Sequence, residues 1–133
     1  MTNAFKKPEG IVTIQTLAMP ADTNAYGDIF GGWLVSQMDL AGGILAKHLS
    51  EGRAVTFAIH SMTFEQPVHV GDVVSCFVSL IKTGRTSLTI KIEVWTNINN
   101  EERAKKVTEG VFVYVAIDED RHPRDLPTIE QSK

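Results

Sequence analysis

At 133 residues the chain has the size of one domain, and a 43% hydrophobic content is enough for a single packed core. A formal charge of -3 and a pI of about 5.8 lack the excess of Lys and Arg on which phosphate-backbone binding depends, so nucleic acid is not an expected partner. Cys76 is the only cysteine, which excludes an intrachain disulfide and a cysteine-built zinc site.

Residues 11–18 open the chain's organised part: Ile11, Val12, Thr13, Ile14 and Thr16 favour a strand, which Pro20 ends. A polar loop with Asp22, Asn24 and Gly27 follows. Residues 30–49 hold Trp33, Leu34, Met38, Leu40, Ile44, Leu45 and Leu49 among small residues, with no proline, and read as one helix of roughly five turns. Its apolar residues point in nearly every direction around the axis, which predicts a helix enclosed by protein. Four strands are expected after it, at 54–64, 73–82, 86–96 and 104–117. Turn chemistry separates them at Pro67 with Gly71-Asp72, at Gly84-Arg85 and at 97–102.

One early helix followed by consecutive short strands implies an α+β domain, an antiparallel sheet wrapped around a single central helix. A single domain over 1–133 is expected, with about 1–10 and 128–133 as mobile tails and 118–133 as a surface segment. There is no apolar leader at the N-terminus and no run of membrane-spanning length, so neither a membrane nor an export route is expected, and the location read from this is the cytoplasm. An open sheet around one apolar helix leaves strand edges and an apolar face that a chain this small does not cover, so pairing of subunits is expected.

Asp39 is the only ionisable side chain between Asp28 and Lys47. A carboxylate in the middle of an apolar helix costs several kcal/mol unless hydrogen bonds or a polar cleft compensate, so it needs a reason. Two readings stand at this point: a reactive base, or an acid that caps a neighbouring backbone or lies at a solvated subunit seam. The loop before it, residues 22–32, gathers Asn24, Asp22, Asp28, Gly27, Gly31 and Gly32. Gly31 and Gly32 stand at the helix start, where bare backbone lets a ligand approach the free N–H groups and the helix dipole favours developing negative charge, as in an oxyanion hole. The same glycines also suit a tight turn and close packing.

The runs Leu17-Ala18-Met19-Pro20-Ala21-Asp22-Thr23-Asn24, Gly27-Asp28-Ile29-Phe30-Gly31-Gly32-Trp33 and Ser36-Gln37-Met38-Asp39 closely resemble the YciA-like acyl-CoA thioesterases of bacteria. The similarity continues through Val68-His69-Val70-Gly71-Asp72-Val73-Val74, Gly84-Arg85-Thr86-Ser87 and Glu93-Val94-Trp95 to Tyr114-Val115-Ala116, covering about residues 11–127. The resemblance implies a hot-dog fold, hydrolysis of acyl-CoA to free CoA and a carboxylic acid, and assembly as a homodimer or a trimer of dimers. It implies that Asp39 is the catalytic carboxylate and that Asn24 completes the site across the dimer interface. It implies no cofactor, CoA being part of substrate and product. Tyr26 departs from the smaller or polar residues common at its position, which bears on acyl-chain preference.

Asp39 would act as general base on a water, or attack the thioester to give a mixed anhydride that water opens. Backbone N–H groups at Gly31 and Gly32 would take the oxyanion. For CoA, the turn Gly84-Arg85-Thr86-Ser87 offers a cation and two hydroxyls and matches the family's CoA-binding turn, although an ordinary hairpin turn would look the same. Arg121, His122 and Arg124 form a second basic cluster for the 3'-phosphate, with Arg121 its leading member. His48, His60, His69 and His122 show no metal-ligand spacing, no G-x-S-x-G elbow is present, and Cys76 reads as core. Ser36, one turn before Asp39, carries no mark of a nucleophile. Two rival functions remain. A hot-dog hydratase or dehydratase needs a His partner, and the nearest one, His48, lies nine residues and about two and a half turns beyond Asp39, far along the axis; a non-catalytic acyl-CoA binding module would release no thiol from any acyl-CoA.

Overall fold

The computed structural model describes residues 7–129. The outer parts of the expected tails, 1–6 and 130–133, lie outside the described residues. Strand β1 spans Ile11–Leu17, helix α1 Gly31–Ser50, β2 Ala54–Phe64, β3 Val73–Thr83, β4 Ser87–Thr96 and β5 Lys105–Ala116, each bound within a residue of expectation. All five strands form one sheet in the order β1-β3-β4-β5-β2, and every neighbouring pair is antiparallel. The chain leaves α1 into β2 at one edge, then crosses to β3 beside β1, so both edge strands come from the N-terminal half.

α1 lies on one face of the sheet and touches all five strands. The two-residue alternation of the strands supplies its bed: Leu88, Ile90, Ile92 and Val94 of β4 and Phe112, Tyr114 and Ala116 of β5 are buried, meeting Leu34, Met38, Ala41 and Ala46 of the helix. Each large apolar side chain so buried contributes about 1.5–3 kcal/mol, and this shared core is what fixes α1 over the centre of the sheet.

One expectation needs correction. The helix is not enclosed by its own chain. Its buried residues, Leu34, Met38, Ala41, Gly42, Ala46 and Ser50, form one stripe, while Leu40 and Ile44 on another face are 57% and 48% exposed. A five-stranded sheet of this length curves past only part of the cylinder, and apolar residues all round the axis do not specify which chain covers them. The segment after β5 runs over the surface, as expected, and is tied to the fold. Arg124 N–H donates to the Ala116 carbonyl and Leu126 N–H to that of Arg85, Ile117 bridges to Pro123, and Leu126 and Ile129 pack against the core.

Candidate active site

Asp39 sits half-buried in the third turn of α1. Its Oδ1 accepts hydrogen bonds from the Thr56 hydroxyl at 2.6 Å and the Tyr114 hydroxyl at 3.1 Å. The Tyr114 hydroxyl lies also 2.9 Å from the main-chain carbonyl oxygen of Asp39. Thr56 comes from β2 and Tyr114 from β5, neighbouring strands whose register pairs these two residues directly. One strand pair therefore presents two hydroxyls to one carboxylate oxygen. Asp39 Oδ2 has no hydrogen-bond partner among the described residues. Burial and the negative charge of Asp39 push the Tyr114 phenol far above its ordinary range, so it stays a proton donor at any working pH.

The helix begins at Gly31, after Phe30 in extended conformation with no side-chain cap. The N–H groups of Gly31 and Gly32 meet no acceptor among the described residues and lie where the helix dipole is positive. Gly31 borders a cleft of about 340 Å³ formed with Ile29, Leu34, Phe64, Glu65, Gln66, Pro67 and Val68. A Cβ at Gly31 would make ordinary contact with the Phe64 ring at 3.4 Å. The cleft is an open groove with both apolar and polar walls, and Gly31 is one of its lining residues.

Asn24 is exposed, and its Oδ1 accepts the N–H groups of Tyr26 and Asp28, while its own N–H donates to the Asp28 carbonyl. The side chain thus shapes its loop through the oxygen, and its NH₂ group stays available. Asp28 faces His69 at 4.0 Å. Tyr26 is 89% exposed at the loop tip.

The residues expected to meet CoA divide. Thr86, Ser87 and Arg121 line one apolar pocket of about 480 Å³ with Val55, Phe57, Val113, Val115, Ile117 and Pro123. Gly84 closes the β3-β4 turn, its N–H donating to the Ser87 carbonyl, and Arg85 is ion-paired with Asp125. Arg124 is consumed as well: its guanidinium donates to the carbonyls of Ile117 and Arg53. Of the basic cluster at 121–124, Arg121 alone faces the pocket. Asp118, Asp120 and His122 bring three ligand atoms within 4.8 Å, but Asp118 Oδ1 already accepts the N–H groups of Asp120 and His122 and acts as the cap of that turn. His48, His60 and His69 are exposed on separate elements, Ser36 is exposed on α1, and Cys76 is buried, its thiol pushed up to about 12 by burial.

Sequence reasoning did not find Thr56, and met Tyr114 only as part of a family motif. The signal available was parity: a tyrosine at a core-facing position between Phe112 and Ala116 needs a partner for its hydroxyl, and Asp39 is the one acid on the helix above it.

One long helix cradled by a five-stranded antiparallel sheet is the architecture of a hot-dog-fold thioesterase. The thioesterase superfamily model matches residues 26–102, and the chain belongs to that family. Within it, the chain is similar to the acyl-CoA thioester hydrolase YciA of Salmonella typhimurium, 53% identical over 96% of this chain and 98% of the relative. YciA of Escherichia coli is 51% identical over the same shares. Among solved structures, a hexameric thioesterase from Yersinia pestis superposes with a TM-score of 0.87 at 54% identity, covering 92% of this chain and 99% of that one. A hexameric broad-specificity acyl-coenzyme A thioesterase does so with a TM-score of 0.85 at 48% identity, covering 92% and 85%.

Proposed function

We propose that this acyl-CoA thioester hydrolase works through a site built from two copies of the chain. Asp39 of one copy acts as general base or nucleophile, and Asn24, Gly31 and Gly32 of the other hold the thioester. The observation that carries this reading is the Asp39 carboxylate, with one oxygen tied by two hydroxyls and the other free, on a helix that offers no other charge nearby.

Seven to eight residues separate Gly31 and Gly32 from Asp39, roughly 10–12 Å along the axis at 1.5 Å per residue. One thioester carbonyl does not span that distance, so its oxygen and the attacking group draw on different helices. The exposed Leu40 and Ile44 of α1 offer a surface for the second copy. The named hexameric neighbours favour a trimer of such dimers.

In the general-base route Asp39 Oδ2 takes a proton from water and the hydroxide adds to the thioester carbon. The oxygen's new charge is met by the Gly31 and Gly32 N–H groups, and the C–S bond breaks to give the acid and the CoA thiolate, which is protonated. In the nucleophilic route Oδ2 itself adds, CoA leaves, and water opens the anhydride. Neither needs a cofactor. Thr86, Ser87 and Arg121 seat the CoA moiety, with Arg121 toward a phosphate, and cytoplasmic acyl-CoA is the substrate.

Subunit complementation tests the shared site. Asp39→Ala and Asn24→Ala variants should each release little thiol from acetyl-, butyryl- or palmitoyl-CoA. Unfolded together at equal concentration and refolded, they should regain about a quarter of wild-type activity, since half the dimers are mixed and each mixed dimer holds one intact site. No regain with two folded, inactive variants would sink the two-copy arrangement, and near-normal turnover by Asp39→Ala would sink the role of Asp39.

A further inference from the structure

We propose that Tyr114 is a positioning residue for catalysis, fixing the Asp39 carboxylate so that Oδ2 is the oxygen presented to the reaction, and that Gly42 exists to let it do so; this rests on the assignment of Asp39 above. Tyr114 is 1% exposed, on β5 beneath α1, with its ring stacked on Phe112 at 6.3 Å. Its hydroxyl enters the helix surface where Gly42 has no side chain. A Cβ there would lie 2.3 Å from the hydroxyl oxygen and 2.9 Å from a ring carbon. Glycine inside a helix costs roughly 1 kcal/mol relative to alanine, so this opening has a purpose in packing or chemistry. What occupies it is a hydroxyl that reaches both the main chain and the carboxylate of Asp39.

The hydroxyl has one proton and two acceptors on the same residue. When the carboxylate is charged, Oδ1 is the stronger acceptor. When Asp39 has taken a proton or formed the mixed anhydride and lost its charge, the carbonyl oxygen 2.9 Å away takes the bond instead. The donor stays satisfied through the cycle, without movement of the ring. Thr56 on the same Oδ1 adds a second tether from β2. With both donors on one oxygen, rotation of the carboxylate would break two bonds, which keeps Oδ2 facing outward from the sheet.

Tyr114→Phe removes the hydroxyl and keeps the ring. The expected result is a roughly tenfold fall in kcat with KM changed less than twofold. In an Asp39→Ala background the same change should cost nothing further, since Tyr114 acts through Asp39. Thermal melts of each variant separate activity loss from unfolding. Tyr114→Phe with kcat within twofold of wild type would overturn the proposal, and so would an equal loss in the presence and absence of Asp39. Either result leaves the Asp39 assignment standing, which only the activity of Asp39→Ala itself decides.

Discussion

Gly42 and Gly43 are consecutive in the same helix, yet replacement by alanine should move stability in opposite directions. At Gly42 the new methyl would fall 2.3 Å from the Tyr114 hydroxyl and 2.7 Å from Ile92 Cδ1, so the tyrosine has to retreat by about an ångström. Overpacking of this kind costs about 1–3 kcal/mol. A displaced hydroxyl loses its bond to a charged group, worth about 1.5 kcal/mol or more. The gain in helix propensity returns about 1 kcal/mol. The net expectation for Gly42→Ala is a loss of about 1.5–3.5 kcal/mol, together with a fall in kcat like that of Tyr114→Phe. At Gly43 a Cβ meets nothing within 4 Å, so Gly43→Ala collects only the propensity term and gains up to about 1 kcal/mol. Urea unfolding at one fixed protein concentration, necessary because subunit association contributes to stability, gives both numbers, and thiol release gives the rates. Equal midpoints for the two variants would refute the argument that Gly42 is reserved for Tyr114.

Arg121→Ala should raise KM for acyl-CoA by about tenfold, most at low salt, with kcat unchanged, as expected for one charge-assisted phosphate contact. Arg85→Ala should do less, its guanidinium being held by Asp125; equal effects would return the phosphate to the β3-β4 turn. Cys76 should not react with a chromogenic disulfide reagent in the folded protein, because burial pushes its thiol up to about 12, and rapid labelling without denaturant would contradict its packing. Its replacement, Cys76→Ser, should cost about 1–3 kcal/mol by melting or urea, as a hydroxyl without a partner. The Lys106 ammonium bonded to Glu109 holds that carboxyl below its ordinary value of 4.5. A depressed pKa contributes stability that is present above the unfolded value and lost as pH falls through the folded one. Wild type should therefore lose up to about 1 kcal/mol more than Glu109→Gln between pH 5 and strongly acidic pH, and parallel acid titrations of the two would remove the pair from the account.

The elements were legible because each has its own period: β-branched alternation between turn residues for the strands, and a proline-free apolar stretch for α1. Asp39 was legible because a lone acid in such a stretch has to be explained, and Gly31 and Gly32 because they stand at a helix start. What holds Asp39 was not. Tyr114 lies 75 residues from it, and only the pairing of Thr56 with Tyr114 across β2 and β5 brings the two hydroxyls to one oxygen. Arg121 and Arg124 look alike in sequence, but the Arg124 guanidinium donates to the carbonyls of Ile117 and Arg53, a pairing that is invisible until the chain has folded back.

The glycines of α1 show how one residue type serves opposite ends of the chemistry. At Gly31 and Gly32 the absent side chain leaves backbone donors open to a ligand from outside; at Gly42 it admits a hydroxyl from the chain's own sheet. The first need lies at the helix terminus, since only there are N–H groups unspent. The second lies in its middle, on the buried stripe that faces the sheet. A carboxylate braced by the sheet is therefore held far along the axis from the donors of its own helix. Bringing donors and carboxylate to one carbonyl without moving either requires a second helix running alongside. The exposed stripe of Leu40 and Ile44 lies on the part of α1 that its own sheet leaves uncovered, so the same limit on what one sheet covers that exposes this stripe also leaves room for that second helix.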